Sequence, residues 1–324
     1  MCTRVLWNDN KLGVLAGRTM DWPESTEPKL IVAPRGHQRH GGRVGPLTVV
    51  SDNALDWDSR YGSLVVSVYG IGTVDGLNEK GFSANALYLK STELGHGGRG
   101  KAGLQIALWA QYLLDNAATV AEAIELMRNV QLVMVEAHGH QATVHLAVQD
   151  AGGDSAIMEN LGGELVVHHG PQYRLMTNDP SYDEQLRLLD KQDFSQPGCD
   201  LPVPGNVNPV DRFQRAAYFS ALLPEPGDER EAAASILSIM RNVSVPFGAP
   251  YGEFGIYNTE YRTVADLASR RYFFELSTAP NLIWAELDQF RFAPGEPVRV
   301  LDPYADITLC GDVSGRFAPA EIAF

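Results

Sequence analysis

The chain begins Met1-Cys2-Thr3-Arg4, and the stretch Gly17-Arg18-Thr19-Met20-Asp21-Trp22 follows shortly after it. A cysteine at position two is small enough for a methionine aminopeptidase to remove the initiator. Removal would leave a thiol and a free α-amine on one residue. An α-amine has an ordinary pKa of about 8, so it can act as base toward its own thiol near neutral pH without a histidine. These residues predict an N-terminal nucleophile.

Two charged residues of the second stretch are suited to support such a nucleophile. Arg18 carries a permanent positive charge that favours a neighbouring thiolate, and Asp21 is an acceptor that can orient the amine. Taken alone, these three residues are also compatible with an incidental cysteine in a disordered terminus. The polar turn Asn8-Asp9-Asn10 predicts a hairpin. That hairpin would place Cys2, at the start of one strand, close to Arg18 near the end of its partner.

Blocks of strands and helices alternate along the rest of the sequence. Thr119 and Glu122 form a capping box at the start of one amphipathic helix. Strands are predicted over Val5–Trp7, Leu12–Ala16, Leu30–Ala33, Leu47–Val50, Leu64–Tyr69, Phe82–Leu89, Leu132–Val135, Val144–Val148, Ala156–Met158, Leu165–Val167, Tyr173–Met176, Arg262–Ala265, Tyr272–Leu276 and Leu282–Leu287. Helices are predicted over Leu104–Leu114, Thr119–Arg128, a segment starting at Ser181, Asp211–Leu223 and Asp228–Arg241. The layout indicates an α+β fold with mostly antiparallel sheets, in a single domain over residues 1–324.

The net charge of the chain argues against two classes of binding partner. The 324 residues include 26 basic and 40 acidic side chains, a net charge of −14 that argues against nucleic acid or an anionic membrane as partner. No run of 18 apolar residues predicts a membrane span, and no secretory signal precedes the first strand. We therefore expect a cytoplasmic protein as the sequence is written, or a periplasmic one if a signal peptide was removed and Met1 added. Three cysteines, an odd number, favour a reducing compartment.

Two patterns that resemble ligand sites lack part of what such sites need. The pairs His37/His40 and His138/His140 have no carboxylate or cysteine at ligand spacing, so no metal is predicted. The glycine-rich segment 95–101 resembles a phosphate-binding loop, but Ala102 stands where that loop needs Ser or Thr. A surface loop is the better interpretation. We expect no metal and no organic cofactor.

Six segments, in this order along the chain, resemble the choloylglycine hydrolase family, which includes conjugated bile salt hydrolases and penicillin V acylases. They are the Met-Cys-Thr start, Gly17–Trp22, Asn78-Glu-Lys-Gly81, Met176-Thr-Asn-Asp-Pro180, Arg212-Phe-Gln-Arg215-Ala-Ala and Val245-Pro-Phe-Gly248. The resemblance covers nearly the whole chain. It implies the four-layer αββα fold of N-terminal nucleophile hydrolases, with two antiparallel sheets between layers of helices.

The resemblance also implies a role for each matching residue. Cys2 would be the nucleophile with its own amine as base, and Arg18 and Asp21 would be its electrostatic and orienting partners. Asn178 and the backbone N–H of Tyr88 would be the oxyanion-hole donors. Arg215 would be the basic residue that completes the charge network. Without the resemblance, Asn178 would be an ordinary loop residue and Arg215 a surface charge. In the same way, Trp22 and Tyr88 would be core aromatics.

The implied function is an amidase that acts on N-acylated small molecules through an acyl-thioester. Bile salt hydrolases of Gram-positive type tend to carry Asn where this chain has Tyr88. We therefore expect Trp22 and Tyr88 to flank an acyl pocket, and rank penicillin V and N-acyl homoserine lactones above conjugated bile salts. Acyl transfer to an amine, or a non-catalytic binding protein of the same fold, are the alternatives. A homo-oligomer, tetramer or dimer, is implied, although the segment between Asn178 and Arg212 is shorter than in those enzymes.

Overall fold

Two large sheets lie face to face in the computed structural model, which describes residues 1–95, 100–251, 255–279 and 281–324. In spatial order, the first sheet contains Leu175–Met176, Cys2–Trp7, Leu15–Trp22, Ile256–Asp266, Arg271–Leu276, Leu282–Glu286 and Gly311–Asp312, with Ala249–Pro250 beside Ile256–Asp266. The second contains Glu164–His169, Ser155–Leu161, Val144–Gln149, Ser83–Tyr88, Gly72–Asn78, Ser63–Val68, Leu30–Ala33, Arg299–Leu301 and Ala318–Pro319. Neighbouring strands are antiparallel except Leu282–Glu286 and Gly311–Asp312.

Helices cover the outer face of each sheet. Trp109–Asn116 and Val120–Met127 pack on the second sheet, whereas Pro209–Ser220 and Glu229–Asn242 pack on the first. Tyr182–Leu189 packs beside Pro209–Ser220. A third apolar cluster fills the space between the sheets. The order of layers is therefore helix, sheet, sheet, helix, which confirms the predicted αββα fold.

Strand alternation orients the first residues of the chain. Side chains along a strand point alternately to opposite faces, so Val5 and Trp7 pack against the helices while Leu6 and Cys2 lie between the sheets. The predicted hairpin is present, since Cys2 lies opposite Met20 in the antiparallel partner strand. That partner begins at Leu15 and not at Leu12 as predicted.

Gly17 lets a helix approach the hairpin closely. A Cβ at this position would lie 2.8 Å from Cγ of Met240 and 2.9 Å from Cγ2 of Ile236, both on the helix Glu229–Asn242. Real Cβ atoms do not tolerate such contacts, so a larger residue would push the helix off the sheet. The glycine beside Arg18 therefore has a packing role.

The Asn78-Glu-Lys-Gly81 segment forms a turn at the end of a strand, and Asn78 links this turn to a helix by hydrogen bonds. Nδ2 of Asn78 donates to the carbonyls of Leu114 and Ala117 at 2.9 and 2.8 Å, and its Oδ1 accepts from the backbone N–H of Lys80 at 2.9 Å. The amide thus satisfies carbonyls that the end of the helix Trp109–Asn116 leaves unpaired. The role of this motif is architectural.

The predicted helix Leu104–Leu114 is wrong over its first half. Residues Ala102–Gln105 form a strand that pairs in parallel with Val130–Val133, a 3-10 turn covers Ile106–Leu108, and the α-helix begins at Trp109. The segment is apolar on every side, and such a pattern does not separate a buried strand from a buried helix.

The following helix, Val120–Met127, is confirmed together with its cap. Thr119 Oγ1 accepts from the N–H of Glu122 at 3.2 Å.

Other short elements complete the described part. Strand pairs join Glu136–Ala137 to His140–Gln141, Gln38–His40 to Asp56–Asp58, and Arg43–Val44 to Leu47–Thr48, and 3-10 turns cover Leu287–Gln289 and Ser314–Arg316. Residues 96–99 of the predicted surface loop lie outside the described residues. No helix in the described ranges is long and apolar enough to cross a membrane.

Candidate active site

Cys2 lies at the base of an apolar pocket between the sheets. The residue is 2% exposed, and its Sγ lies 3.6 Å from Nη2 of Arg18 and 3.8 Å from Sδ of Met20. A guanidinium stays charged and a thioether is a weak acceptor, so neither neighbour can serve as a base. The Arg18 contact supplies positive charge to the sulfur, and neither contact supplies a base.

Arg18 is held on several sides within the layer between the sheets. Its Nη1 donates to the hydroxyl of Tyr261 at 2.8 Å and lies 3.9 Å from Oδ2 of Asp75, while Nη2 also donates to the carbonyl of Ala86 at 3.3 Å. Burial opposes the charge, but Tyr261, Cys2 and Asp75 together raise the pKa of the Arg18 guanidinium. The cation beside the sulfur is therefore permanent and fixed in position.

Asp75 is the buried counterion of Arg18, and the sequence analysis missed it. Its Oδ1 accepts from Nδ2 of Asn85 at 2.9 Å and its Oδ2 from Oγ1 of Thr263 at 2.6 Å. Burial raises the pKa of Asp75, and Arg18 and Thr263 oppose that rise. The pair Asp75-Gly76 is typical of a turn, whereas Asp75 lies inside the strand Gly72–Asn78. The segment Gly72–Asn78 reads GTVDGLN and has no apolar periodicity, so the sequence offered no clear signal for this residue.

Asn178 contacts the backbone nitrogen of Cys2. Its Oδ1 accepts from the Cys2 N–H at 2.9 Å and from Nη2 of Arg212 at 2.7 Å, and its Nδ2 donates to the carbonyl of Tyr88 at 2.7 Å. Because arginine can only donate, the amide atom that faces Arg212 must be the oxygen. The amide orientation is thus fixed, with its nitrogen directed toward the end of the strand Ser83–Tyr88.

The arginine at the site is Arg212, and the structure places the predicted Arg215 elsewhere. Nη1 of Arg212 donates to the Cys2 carbonyl at 2.6 Å and to Oγ1 of Thr3 at 2.6 Å. Arg215 instead donates to the carbonyls of Pro204, Asn206 and Asn242. The two arginines are one turn apart on the same helix, and the one nearer its start faces Cys2. Arg215 holds the preceding loop in place.

Asp21 lies on the other side of the Cys2 backbone. Its Oδ1 accepts from Oγ1 of Thr259 at 2.6 Å, its Oδ2 accepts from Oγ1 of Thr19 at 3.2 Å, and Oδ2 lies 3.6 Å from Nη1 of Arg212. Asp21 and Arg212 are both fully buried. The carboxylate therefore balances the charge of Arg212, which donates to the Cys2 carbonyl.

The pocket above Cys2 is apolar and lined by both sheets. The rings of Trp22 and Tyr88 flank it, with centroids 5.6 Å apart. Its remaining lining comes from Arg18, Met20, Thr26, Val68, Tyr69, Ile71, Thr73, Val74, Ala86, Ile106, Ala107, His140, Gln141, Ala142, Thr143 and Val144. A linear or flat apolar group entering this space would reach the sulfur.

Two histidines and a tyrosine form an aromatic group with Trp22 beside the pocket. Nε1 of Trp22 donates to the Tyr69 hydroxyl at 2.9 Å, which donates in turn to Oε1 of Glu24 at 2.8 Å. His138 stacks on Tyr69 at 4.1 Å between centroids, and His140 meets Trp22 edge-on at 5.4 Å. These histidines serve as aromatic packing partners. Among the described residues, no cluster of three or more His, Cys, Asp or Glu side chains could hold a metal ion.

The structure thus brings Cys2, Arg18, Asp21 and Asn178 together, and places Trp22 and Tyr88 at the pocket. The sequence profile of the linear amide C–N hydrolases, choloylglycine hydrolase family, matches residues 2–300. The chain belongs to this family. It is therefore an enzyme that hydrolyses the carbon–nitrogen bond of linear amides.

Individual relatives agree with this assignment. A penicillin V acylase from Pectobacterium atrosepticum is 37% identical, over 99% of this chain and 90% of its own. A bile salt hydrolase/transferase from Bifidobacterium longum is 26% identical, over 76% of this chain and 83% of its own. The enzyme is thus an acylase-like amidase that is more similar to the former.

Solved structures show the same fold. Penicillin V acylase from Agrobacterium tumefaciens superposes with a TM-score of 0.88 at 36% identity, covering 99% of this chain and 98% of that one. A conjugated bile acid hydrolase from Clostridium perfringens superposes with a TM-score of 0.78 at 19% identity, covering 93% of this chain and 96% of that one. At 19% identity, the similarity to this bile acid hydrolase shows a shared fold only.

The two arginines provide a matched pair of variants. Arg212→Met should lower kcat/KM for an amide substrate at least about a hundredfold, because it leaves the Cys2 carbonyl and Asn178 without a charged donor. Arg215→Met should lower it no more than about threefold, since its bonds go to loop carbonyls. Urea unfolding of both variants controls for stability. Equal losses of activity in two folded variants would contradict this distinction.

Proposed function

We propose that this enzyme cleaves N-acylated small molecules through Cys2, by way of an acyl-thioester. The position of Cys2 carries the proposal. Its thiol lies beside Arg18 at the base of the apolar pocket, and its nitrogen is held by Oδ1 of Asn178 at 2.9 Å. The nucleophile and the nitrogen that can serve as its base therefore belong to one residue. Arg18 contacts its sulfur and Asn178 accepts from its nitrogen.

Removal of Met1 is the activating step in this proposal. Met1 extends the first strand, since the Asp21 N–H donates to its carbonyl at 2.6 Å and its amine donates to the Asp21 carbonyl. While Met1 is attached, the Cys2 nitrogen is an amide without a basic lone pair. Burial lowers the pKa of the Met1 amine, although Cys2 and Asp21 oppose the shift. In the proposed mechanism the amine that trimming creates on Cys2 acts in its neutral form.

Acylation then follows from the positions of the donors. The amine takes the thiol proton, the sulfur bonds to the amide carbon, and the proton passes to the leaving nitrogen as the carbon–nitrogen bond breaks. The Asn178 amide carries two hydrogens and uses one on the Tyr88 carbonyl. Its second hydrogen and the backbone N–H of Tyr88 are the proposed oxyanion donors. Water activated by the same amine hydrolyses the thioester and restores the thiol.

Phenoxyacetyl and linear acyl groups fit the pocket better than a steroid does. Trp22 and Tyr88 border a space into which a flat ring or an extended chain can slide, with Ile71 and Ala107 along its wall. The similarity to penicillin V acylases supports the same order. We therefore propose penicillin V and long-chain N-acyl homoserine lactones as substrates ahead of glycine- or taurine-conjugated bile salts.

We also propose that the enzyme assembles as a homo-oligomer, a tetramer or dimer. Phe247 and Ile256 are 65% and 61% exposed, and a second copy would cover this apolar surface. Light scattering on the purified enzyme measures the mass directly. We expect a multiple of the 35.4 kDa chain, and a monomer at micromolar concentration would contradict this proposal.

A variant that keeps a residue ahead of Cys2 tests the mechanism. Inserting Glu between Met1 and Cys2 blocks trimming, and we expect turnover to fall at least about a thousandfold because the base is lost and the nucleophile displaced. The matched control is the same chain released so that Cys2 is its first residue. Mass spectrometry establishes each N-terminus, and Cys2→Ala gives the background rate. Full activity from a chain that still carries the inserted residue would refute the amine as base.

A panel of three substrate classes tests the proposed specificity. Specificity constants should be highest for penicillin V or a long-chain N-acyl homoserine lactone, and at least about tenfold lower for glycine- and taurine-conjugated bile salts, because a rigid steroid fits poorly between two rings. Amine release is measured with the same reagent for every substrate. A bile salt preferred tenfold or more would overturn the order.

A further inference from the structure

Met1 occupies a pocket of its own. Its residue is 6% exposed and packs against Val245 and Tyr257, which are 3% and 1% exposed. Tyr251, Ala249, Val207 and Tyr88 complete the surrounding cluster. The first residue of the chain is therefore fitted into the protein and does not trail into solvent.

This pocket is distinct from the acyl pocket described above. The two sets of lining residues have only Tyr88 in common, and Cys2 lies between them. The acyl pocket borders the sulfur of Cys2, whereas the Met1 pocket borders its nitrogen. Once Met1 is removed, the nucleophile has an apolar space on each side.

The proton transfer in the proposed mechanism indicates which part of the substrate the Met1 pocket would bind. The leaving nitrogen must come within about 3 Å of the Cys2 nitrogen to receive its proton. In the untrimmed chain the Met1 carbonyl carbon is bonded to that same nitrogen at about 1.33 Å. The substituents of the leaving nitrogen therefore extend into the volume that Met1 vacates. We propose, resting on the function proposed above, that the Met1 pocket is the subsite for the leaving amine.

The contacts of Met1 indicate which amines fit. The Asp21 N–H, which donates to the Met1 carbonyl at 2.6 Å, becomes available to a carbonyl or carboxylate on the carbon next to the leaving nitrogen. Stacked rings of Tyr251 and Tyr257, 4.2 Å apart, form an apolar wall together with Val245. The subsite therefore selects α-amino acid derivatives, open or cyclic, with an apolar side chain up to the size of methionine.

A pair of substrates with one acyl group isolates this preference. Phenoxyacetyl-L-methionine and phenoxyacetylglycine differ only in the leaving amine, and we expect the methionine compound to have a kcat/KM at least about tenfold higher in the trimmed enzyme. Val245→Phe fills the subsite and should lower that ratio at least about tenfold. Ala107→Phe, on the acyl side, should leave the ratio within about twofold and shorten the accepted acyl chain.

The possible failures are distinguishable. Hydrolysis of both compounds with a ratio that Val245→Phe does not change would place the leaving amine elsewhere and overturn this inference. Hydrolysis of neither compound, nor of any other N-acyl amide, would refute the proposed function instead. If Val245→Phe does not fold, Val245→Ala enlarges the subsite and should raise the ratio of phenylalanine to methionine as leaving amine. An unchanged ratio there would also overturn the inference.

Discussion

Two fully buried guanidinium groups, those of Arg18 and Arg212, are the constraint on which this structure depends. Removing such charges from water is costly unless each has a counterion and hydrogen bonds to its donors. Asp75 and Asp21 supply the negative charge, and hydroxyls and backbone carbonyls accept hydrogen bonds from both guanidinium groups. Cys2 lies between the two cations, one beside its sulfur and the other on its carbonyl. The charges that flank the proposed nucleophile are therefore part of the polar core.

The same polar core joins the two sheets. Arg4, two residues after Cys2, donates to Oε1 of Gln149 at 2.6 Å, and Nε2 of Gln149 donates to Oδ1 of Asn85 at 2.8 Å. Asn85 then donates to Asp75, the counterion of Arg18. This chain of bonds runs from the first sheet into the second and back. Breaking any one of these bonds would leave a buried polar group without that partner, so the network favours one placement of the two sheets.

The sequence was sufficient for those features that depend on local chemistry. Asn8–Asn10 predicts the turn that brings Cys2 opposite Met20, and Leu30–Ala33 is a strand with the predicted bounds. The sequence was not sufficient for features that depend on contacts between residues far apart in the chain. A spacing of three residues does not show which of Arg212 and Arg215 faces Cys2, because the helix can rotate about its axis until packing fixes it. Asp75 looked like a turn residue for a similar reason: only the opposing sheet reveals its partner.

In the proposed mechanism, removal of Met1 converts the Cys2 nitrogen from an amide to an amine. The hydrogen bonds that hold Cys2 in place are kept. Asn178 Oδ1 accepts from the Cys2 nitrogen while that nitrogen is an amide, and an amine at the same position can donate to it equally. Arg212 binds the Cys2 carbonyl, which lies on the far side of the residue from the bond that is cut. Met1 itself is 6% exposed and paired with Asp21, so a peptidase would not reach it in the folded protein. In this proposal the cut therefore precedes the closing of the first strand onto its partner, and the space that Met1 fills in the untrimmed chain is open when the fold forms.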